Sequence, residues 1–111
     1  MSRFAVLLTT ALAALALAAC DDSTGITAEE IACPTGSTLT YANYGQQVIN
    51  DYCLSCHDTR ESPRLGTQAQ VQANANRIIE EAVYHSSMPE DRDMTNEQRI
   101  QLGQWLTCGA P

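Results

Sequence analysis

The pentapeptide CLSCH at residues 53–57 is the segment of this sequence with the clearest chemical meaning. A Cys-x-x-Cys turn at the end of a helix places two thiols on one side, at a separation that matches the two vinyl groups of a porphyrin. The neighbouring imidazole of His57 then lies where a neutral ring nitrogen can bind the iron. The motif therefore predicts one covalently bound haem c, with thioether bonds to Cys53 and Cys56 and with His57 as the proximal iron ligand.

Two other uses of this cysteine pair have less support. A redox-active pair of the thioredoxin type is expected beside a βαβ pattern, and the sequence shows no strand pattern. A structural zinc site needs four ligands, and Cys33 with Cys108 could supply the second pair. Zinc ligands usually come in closely spaced pairs, however, and these two cysteines are far apart in the chain. A zinc-binding domain is therefore kept only as an alternative.

The beginning of the chain predicts export. A short positive start is followed by an apolar run to Leu17, which suits a signal peptide better than a membrane span. Residues 17–20, LAAC, look like a bacterial lipobox, so residues 1–19 are predicted to be a lipoprotein signal peptide. Cys20 is then acylated, and the protein is anchored by lipid to a bacterial membrane, facing the periplasm. The alternative is an ordinary signal peptide with a coincidental cysteine.

The composition limits the possible partners. The sequence has 13 acidic and six basic residues, a formal net charge of -7, and no lysine. Such a surface repels nucleic acid and anionic lipid headgroups, so neither is expected as a direct partner. The expected membrane association comes from the lipid anchor alone.

The mature chain is predicted to be a tether followed by one domain. Residues 20–36 are polar and acidic, without a sustained apolar face, which is typical of a flexible segment. Residues 37–111 form one small domain, whose modest core would gain stability from a prosthetic group or a cross-link.

The five cysteines also predict a cross-link. Once Cys20 is assigned to lipid and the CLSCH pair to haem, only Cys33 and Cys108 remain. Two remaining cysteines in an oxidising compartment are expected to form a disulfide bond.

Larger and apolar side chains at spacings of three and four predict helices throughout the domain. Thr38 or Thr40 is the expected N-cap of the first helix, and T-x-x-Q capping boxes begin the other two. No useful stretch alternates with period two, so the predicted fold class is all-α. The three predicted helices span residues 41–56, 67–84 and 95–109.

With these elements in place, residues 40–111 resemble a small class I cytochrome c. The resemblance is carried by CLSCH, by the Met88-Pro89 loop, by Gly45 eight residues before the first haem cysteine, and by Trp105 on the last helix. In that family the first and last helices cross, and a glycine on the first lets an aromatic ring on the last lie close. The resemblance gives these roles to Gly45 and Trp105, with Ile49 and Leu102 as their neighbours.

The resemblance also implies a function and further site residues. It implies a monohaem carrier of single electrons between redox proteins, such as a dehydrogenase, reductase or oxidase, and not an enzyme. Pro63 is the candidate for the backbone carbonyl that orients the proximal histidine. Met88 is the expected distal iron ligand, because it lies in a loop and is followed by a proline, with His85 and Met94 as alternatives.

Some interpretations remain open from the sequence. A haem peroxidase or a haem-based sensor would need an open distal site, and His85 is the only acid or base that the sequence suggests there. The tyrosines either line the haem or belong to the core. They are Tyr41, Tyr44, Tyr52 and Tyr84.

Overall fold

The computed structural model describes residues 21–111, and the predicted signal peptide and Cys20 lie outside them. Helix α1 combines a π-helical turn with the α-helix that follows it, and α4 combines an α-helical turn with a π-helical end. The helices are α1 (Tyr41–Gly45 and Gln46–Tyr52), α2 (Leu54–His57), α3 (Gln68–Ala73), α4 (Ala75–Ile78 and Ile79–Tyr84) and α5 (Asn96–Thr107). Within residues 21–111 the only β-type pairing is an isolated bridge between Ser23 and His85, so the all-α prediction is confirmed.

Local sequence determines where these helices begin. In α1, α3 and α5 the side chain of the N-cap threonine accepts a hydrogen bond from the backbone amide three residues later. The side chain of that later residue accepts a hydrogen bond from the backbone amide of the threonine. Each such capping box satisfies two backbone donors that a helix start leaves unpaired. The two predicted T-x-x-Q boxes are confirmed, and Thr40, rather than Thr38, caps α1. The pairs are Thr40–Asn43, Thr67–Gln70 and Thr95–Gln98.

Two of the predicted helices are interrupted. The first breaks at Cys53, where φ is -122°, so that the CLSCH motif begins a new helical turn. The second breaks at Asn74, whose side-chain amide donates to the carbonyl of Gln70 at 2.8 Å and competes with the helical pattern. The last helix ends at Thr107, two residues before its predicted end, and Gly109 follows the C-cap with a φ of +97° that favours glycine. Within the described residues, no helix is long and apolar enough to cross a membrane.

Helices α1 and α5 meet at Gly45 and Trp105, as the resemblance implies. The Trp105 side chain is completely buried, and a Cβ atom built on Gly45 would overlap its ring. The rings of Tyr41 and Tyr44 pack on the same tryptophan, with centroid distances of 6.4 and 5.8 Å. Ile49 and Leu102 are buried in the same core. The crossing therefore depends on the absence of a side chain at position 45.

We expect Gly45→Ala to lower the free energy of unfolding by about 2–3 kcal/mol, since an overpacked core typically costs 1–3 kcal/mol. Helix propensity alone would favour alanine by up to about 1 kcal/mol, so the sign of the change identifies the overlap with Trp105. Urea unfolding measures the change. Gly66→Ala is the matched control, because a Cβ there meets only the Gln70 side chain at 3.7 Å. Equal stability of the two variants would contradict the close crossing.

The segment before α1 is packed against the domain. The Thr24 amide donates to the carbonyl of Tyr84 at 2.9 Å, and the Ser86 amide donates to that of Asp22 at 2.8 Å. Ile26 is buried as well. Ile31 is also buried, and a Cβ built on Gly103 of α5 would come within 2.9 Å of its Cβ. The prediction of a flexible tether over residues 20–36 therefore fails for the described part, because two isoleucines within an acidic sequence find apolar partners on the domain.

Cys33 and Cys108 are joined by a disulfide bond, with their Cα atoms 4.8 Å apart. This is the pairing that the cysteine count predicts. The bond ties the docked N-terminal segment to the end of α5. Residues 22–111 therefore form one packed unit, which begins earlier in the chain than the predicted boundary at residue 37.

Candidate cofactor site

A cavity of about 310 Å³ lies among α2, α4, α5 and the loop between α4 and α5. Its volume is within the range of small-molecule and cofactor sites, about 300–1,000 Å³. Most of its walls are apolar, with contributions from Leu65, Ile78, Ala82 and Leu102. The lining residues with sulfur or imidazole donors are Cys53, His57, Met88 and Met94.

The orientation of His57 is fixed by its backbone surroundings. Its Nδ1 atom lies 2.8 Å from the carbonyl oxygen of Pro63. A carbonyl can only accept, so Nδ1 carries the proton and Nε2 keeps its lone pair. The amide of Leu65 donates to the His57 carbonyl at 2.8 Å and closes the turn that contains Pro63. A neutral imidazole held in this way presents one nitrogen to a metal.

The two motif cysteines are partly buried and not joined to each other. Cys53 lines the main cavity, and Cys56 lines a smaller adjoining pocket together with Cys53, His57 and Met88. Burial, with a smaller contribution from the Asp91 carboxylate, raises the pKa of the Cys53 thiol to about 11. Reactive redox cysteines have lowered pKa values, so the environment of Cys53 disfavours the thioredoxin-type alternative.

The disulfide bond also weakens the zinc alternative. Cys33 and Cys108 are bonded to each other and cannot serve as thiolate ligands beside the CLSCH pair. Across residues 21–111, no three or more His, Cys, Asp or Glu side chains are grouped in a way that could hold a metal ion. A structural zinc site needs four protein ligands. A haem needs fewer, because the porphyrin supplies four nitrogens and the protein supplies only the axial ligands.

The backbone of Met88 is held on both sides. Its amide donates to the carbonyl of Glu81 at 3.0 Å, and its carbonyl accepts from Nη1 of Arg99 at 2.8 Å. The hydroxyl of Ser87 donates to the same Glu81 carbonyl at 3.0 Å. The loop is thus fastened to the end of α4 at the residue that was predicted to be the distal ligand.

The other distal candidates differ in their surroundings. Met94 lines the cavity too, and it belongs to the hydrophobic core with 8% of its surface exposed. His85 is absent from the cavity lining, and its Nδ1 lies 3.1 Å from the carboxylate of Asp22. The structure therefore brings the two methionines, and not His85, to the same cavity as His57.

Only one of the four tyrosines lines the cavity. Tyr52 lies in its wall, where its hydroxyl accepts from the Gln98 side-chain amide at 3.0 Å. Tyr41 and Tyr44 pack on Trp105 instead, and burial raises the pKa of Tyr44 to about 12. Tyr84 is partly buried against the hydrophobic core.

Two arginines of the site were not found from the sequence. Arg99 is 5% exposed and donates to the carbonyls of Ala82 and Met88. Its spacing of three and seven from Leu102 and Leu106 puts it on the apolar face of α5, a signal that was available in the sequence. Arg77 lines the cavity and is exposed, which places it at the rim, and a guanidinium is suited to pair with a ligand carboxylate. No comparable sequence signal marks Arg77.

Comparisons with protein-family models, with curated proteins and with solved structures return no match for this chain. Its function must therefore be inferred from the cavity and from the residues that line it.

Proposed function

We propose that this chain is a small monohaem c-type cytochrome of class I that carries single electrons between redox proteins. One observation carries the proposal. The fold brings Cys53, His57 and Met88 to one largely apolar cavity, and the Pro63 carbonyl leaves Nε2 of His57 as the available nitrogen. That set of donors fits a covalently attached haem better than it fits the other cofactors considered above.

Each residue has a separate task in this proposal. Cys53 and Cys56 hold the porphyrin through thioether bonds, His57 is the proximal ligand and Met88 is the distal ligand. Haem supplies reversible one-electron chemistry at its iron when it is bound. Leu65, Ile78, Ala82 and Leu102 make the lining of the site largely apolar, and an apolar lining limits the solvent reorganisation that accompanies a change of charge. Arg77 at the rim is a candidate partner for a propionate.

A peroxidase or a haem-based sensor is the alternative class. Either would need an open or displaceable distal position. Two methionine side chains line the cavity, and His85, the acid or base suggested by the sequence, is paired with Asp22 and absent from the cavity lining. Glu81 does line the cavity, but its carboxylate accepts the Ser87 hydroxyl at 2.6 Å. These contacts favour an electron carrier over an enzyme.

Localisation and partners belong to the same proposal. We place the protein at a bacterial membrane, facing the periplasm, with Cys20 acylated after removal of residues 1–19. Two or three acyl chains give firm anchoring, whereas one would be marginal. Its formal charge of -7 favours redox partners with a basic docking face and disfavours nucleic acid.

The distal ligand gives a direct test. We expect the ferric protein to show the weak far-red band of sulfur-to-iron ligation, and Met88→Ala to abolish it. The same substitution should open the iron, so that the reduced protein binds carbon monoxide readily. A pyridine haemochrome spectrum, recorded first, establishes that the haem is of the c type.

Met94→Ala and His85→Ala are the matched controls and should leave the band and the exclusion of carbon monoxide unchanged. If the band survives Met88→Ala and disappears with Met94→Ala, the distal assignment is wrong and the cytochrome proposal stands. If the unmodified protein binds carbon monoxide readily, the peroxidase or sensor alternative is favoured.

A further inference from the structure

Arg99 is a buried cation beside the proposed haem site. It lies on α5, with 5% of its surface exposed. Within residues 21–111 the ion pairs are Arg60–Asp58 and His85–Asp22, so no carboxylate lies within ion-pair distance of Arg99. Burial lowers the pKa of Arg99, and the more distant Asp93 carboxylate opposes that shift. An arginine retains its charge in this situation, because its pKa starts well above the physiological range.

The partners of this cation are two backbone carbonyls. Nη1 of Arg99 donates to Ala82 at 2.7 Å and to Met88 at 2.8 Å. Ala82 lies in the last turn of α4, where carbonyls lack helical partners and a cation is favoured. An apolar side chain at position 99 could fill the same space, but it could not donate a hydrogen bond to either carbonyl oxygen. Burial of a charge is costly, so the two bonds explain why an arginine stands on the apolar face of α5.

The second carbonyl belongs to the proposed distal ligand itself. With the amide of Met88 held by Glu81 and its carbonyl held by Arg99, both peptide groups that flank its side chain are fixed. The loop has no regular secondary structure to define the direction of that side chain. The two hydrogen bonds fix the backbone of Met88 in the way that a helix or strand would otherwise fix it.

We propose that Arg99 is a positioning residue for the distal ligand, holding the backbone of Met88 so that its thioether stays directed into the cavity. The inference rests on the proposed haem function. Its charge also lies beside the cavity and disfavours the ferric state, which carries one more positive charge than the ferrous state. Loss of Arg99 therefore weakens the iron–sulfur bond and lowers the reduction potential.

The test compares Arg99→Met, Arg99→Lys and Arg92→Met in the full-length, haem-loaded protein. Arg99→Met should diminish the far-red band, lower the reduction potential and raise the apparent affinity for carbon monoxide by about tenfold, the factor for one lost charge-assisted hydrogen bond. Arg99→Lys keeps the charge and a donor, so it should restore much of all three properties. Arg92→Met removes the same charge from an exposed position in the Met88 loop and should change none of them beyond a small shift in potential.

The outcomes separate this inference from the proposed function. If Met88→Ala removes the band but Arg99→Met leaves the band, the potential and the exclusion of carbon monoxide intact, Arg99 is only a structural cap of α4 and the inference is overturned. If the wild-type protein holds no haem, the function and the inference both fail. If Arg99→Met does not fold, Arg99→Gln is scored in the same way, because its amide preserves one donor without the charge.

Discussion

Simultaneous replacement of Cys53 and Cys56 by alanine is expected to remove all haem from the denatured protein. The proposed thioether bonds survive denaturation, whereas axial ligation by His57 alone does not. A denaturing gel stained for haem peroxidase activity should therefore show a band for the wild-type protein and none for the double variant. The effect is complete rather than graded, because among residues 21–111 no other cysteine lines the cavity or the adjoining pocket.

A second pair of cysteines provides the control for this experiment. Cys33→Ala with Cys108→Ala removes the same number of sulfur atoms but spares the motif, so its haem stain should persist. Equal haem staining of both double variants would contradict covalent attachment through Cys53 and Cys56. A colourless wild-type protein containing zinc would sink the cytochrome proposal as a whole.

The same control pair should lose about 4 kcal/mol of unfolding free energy relative to the wild type. The disulfide closes a loop with a sequence separation of 75, and on the chain-entropy model its main effect is to restrict the unfolded state. Urea unfolding of the wild type and of the variant, in the absence and in the presence of reductant, measures the difference in unfolding free energy. The loss should be smaller if the bound haem already restricts the unfolded chain.

Two observations check that the loss comes from the disulfide. Reductant should destabilise the wild-type protein and leave the Cys33→Ala, Cys108→Ala variant unchanged. Thiol alkylation without reductant should label neither cysteine in the folded wild type. Labelling of both would reject the bond.

The features that sequence predicted well are encoded by neighbouring residues. Thr67 with Gln70, and Thr95 with Gln98, are three positions apart and satisfy the backbone of the helix that they begin. Such bonds join residues within one helical turn, so the local sequence is enough to predict them. The approach of Gly45 to Trp105 involves distant residues, and its prediction came from the resemblance to a family rather than from local pattern.

The features that sequence missed depend on contacts between distant segments. Ile26 and Ile31 stand in an acidic stretch, and only the apolar surface of the domain determines that they are buried. The π-helical and α-helical parts of α1 and of α4 likewise cannot be distinguished in the sequence, because apolar residues at spacings of three and four are compatible with both. Arg99 contributed to the sequence-based interpretation only as part of the net charge, although its position on the face of Leu102 was already visible.

In the proposed haem site, too, some features could be predicted from neighbouring residues and others depend on the fold. The two cysteines and the histidine lie within one pentapeptide, so their proximity is fixed by the motif. The role of the Pro63 carbonyl depends on a turn, and its contact with His57 matches the expectation from the resemblance. The choice between Met88 and Met94 depends on the fold, which brings both to the cavity, and the fastening of Met88 is the structural reason to prefer it.

The docked N-terminal segment determines how freely the domain can turn at a membrane. Asp22 is bonded to Ser86, and Cys20 is only two residues earlier, so their Cα atoms are at most about 7.6 Å apart. With lipid on Cys20, as proposed, the segment between the lipid and the domain is too short for the domain to rotate freely. The end of α4 and the neighbouring Met88 loop would then stay near the bilayer surface, and a redox partner would have to reach the Met88 loop there.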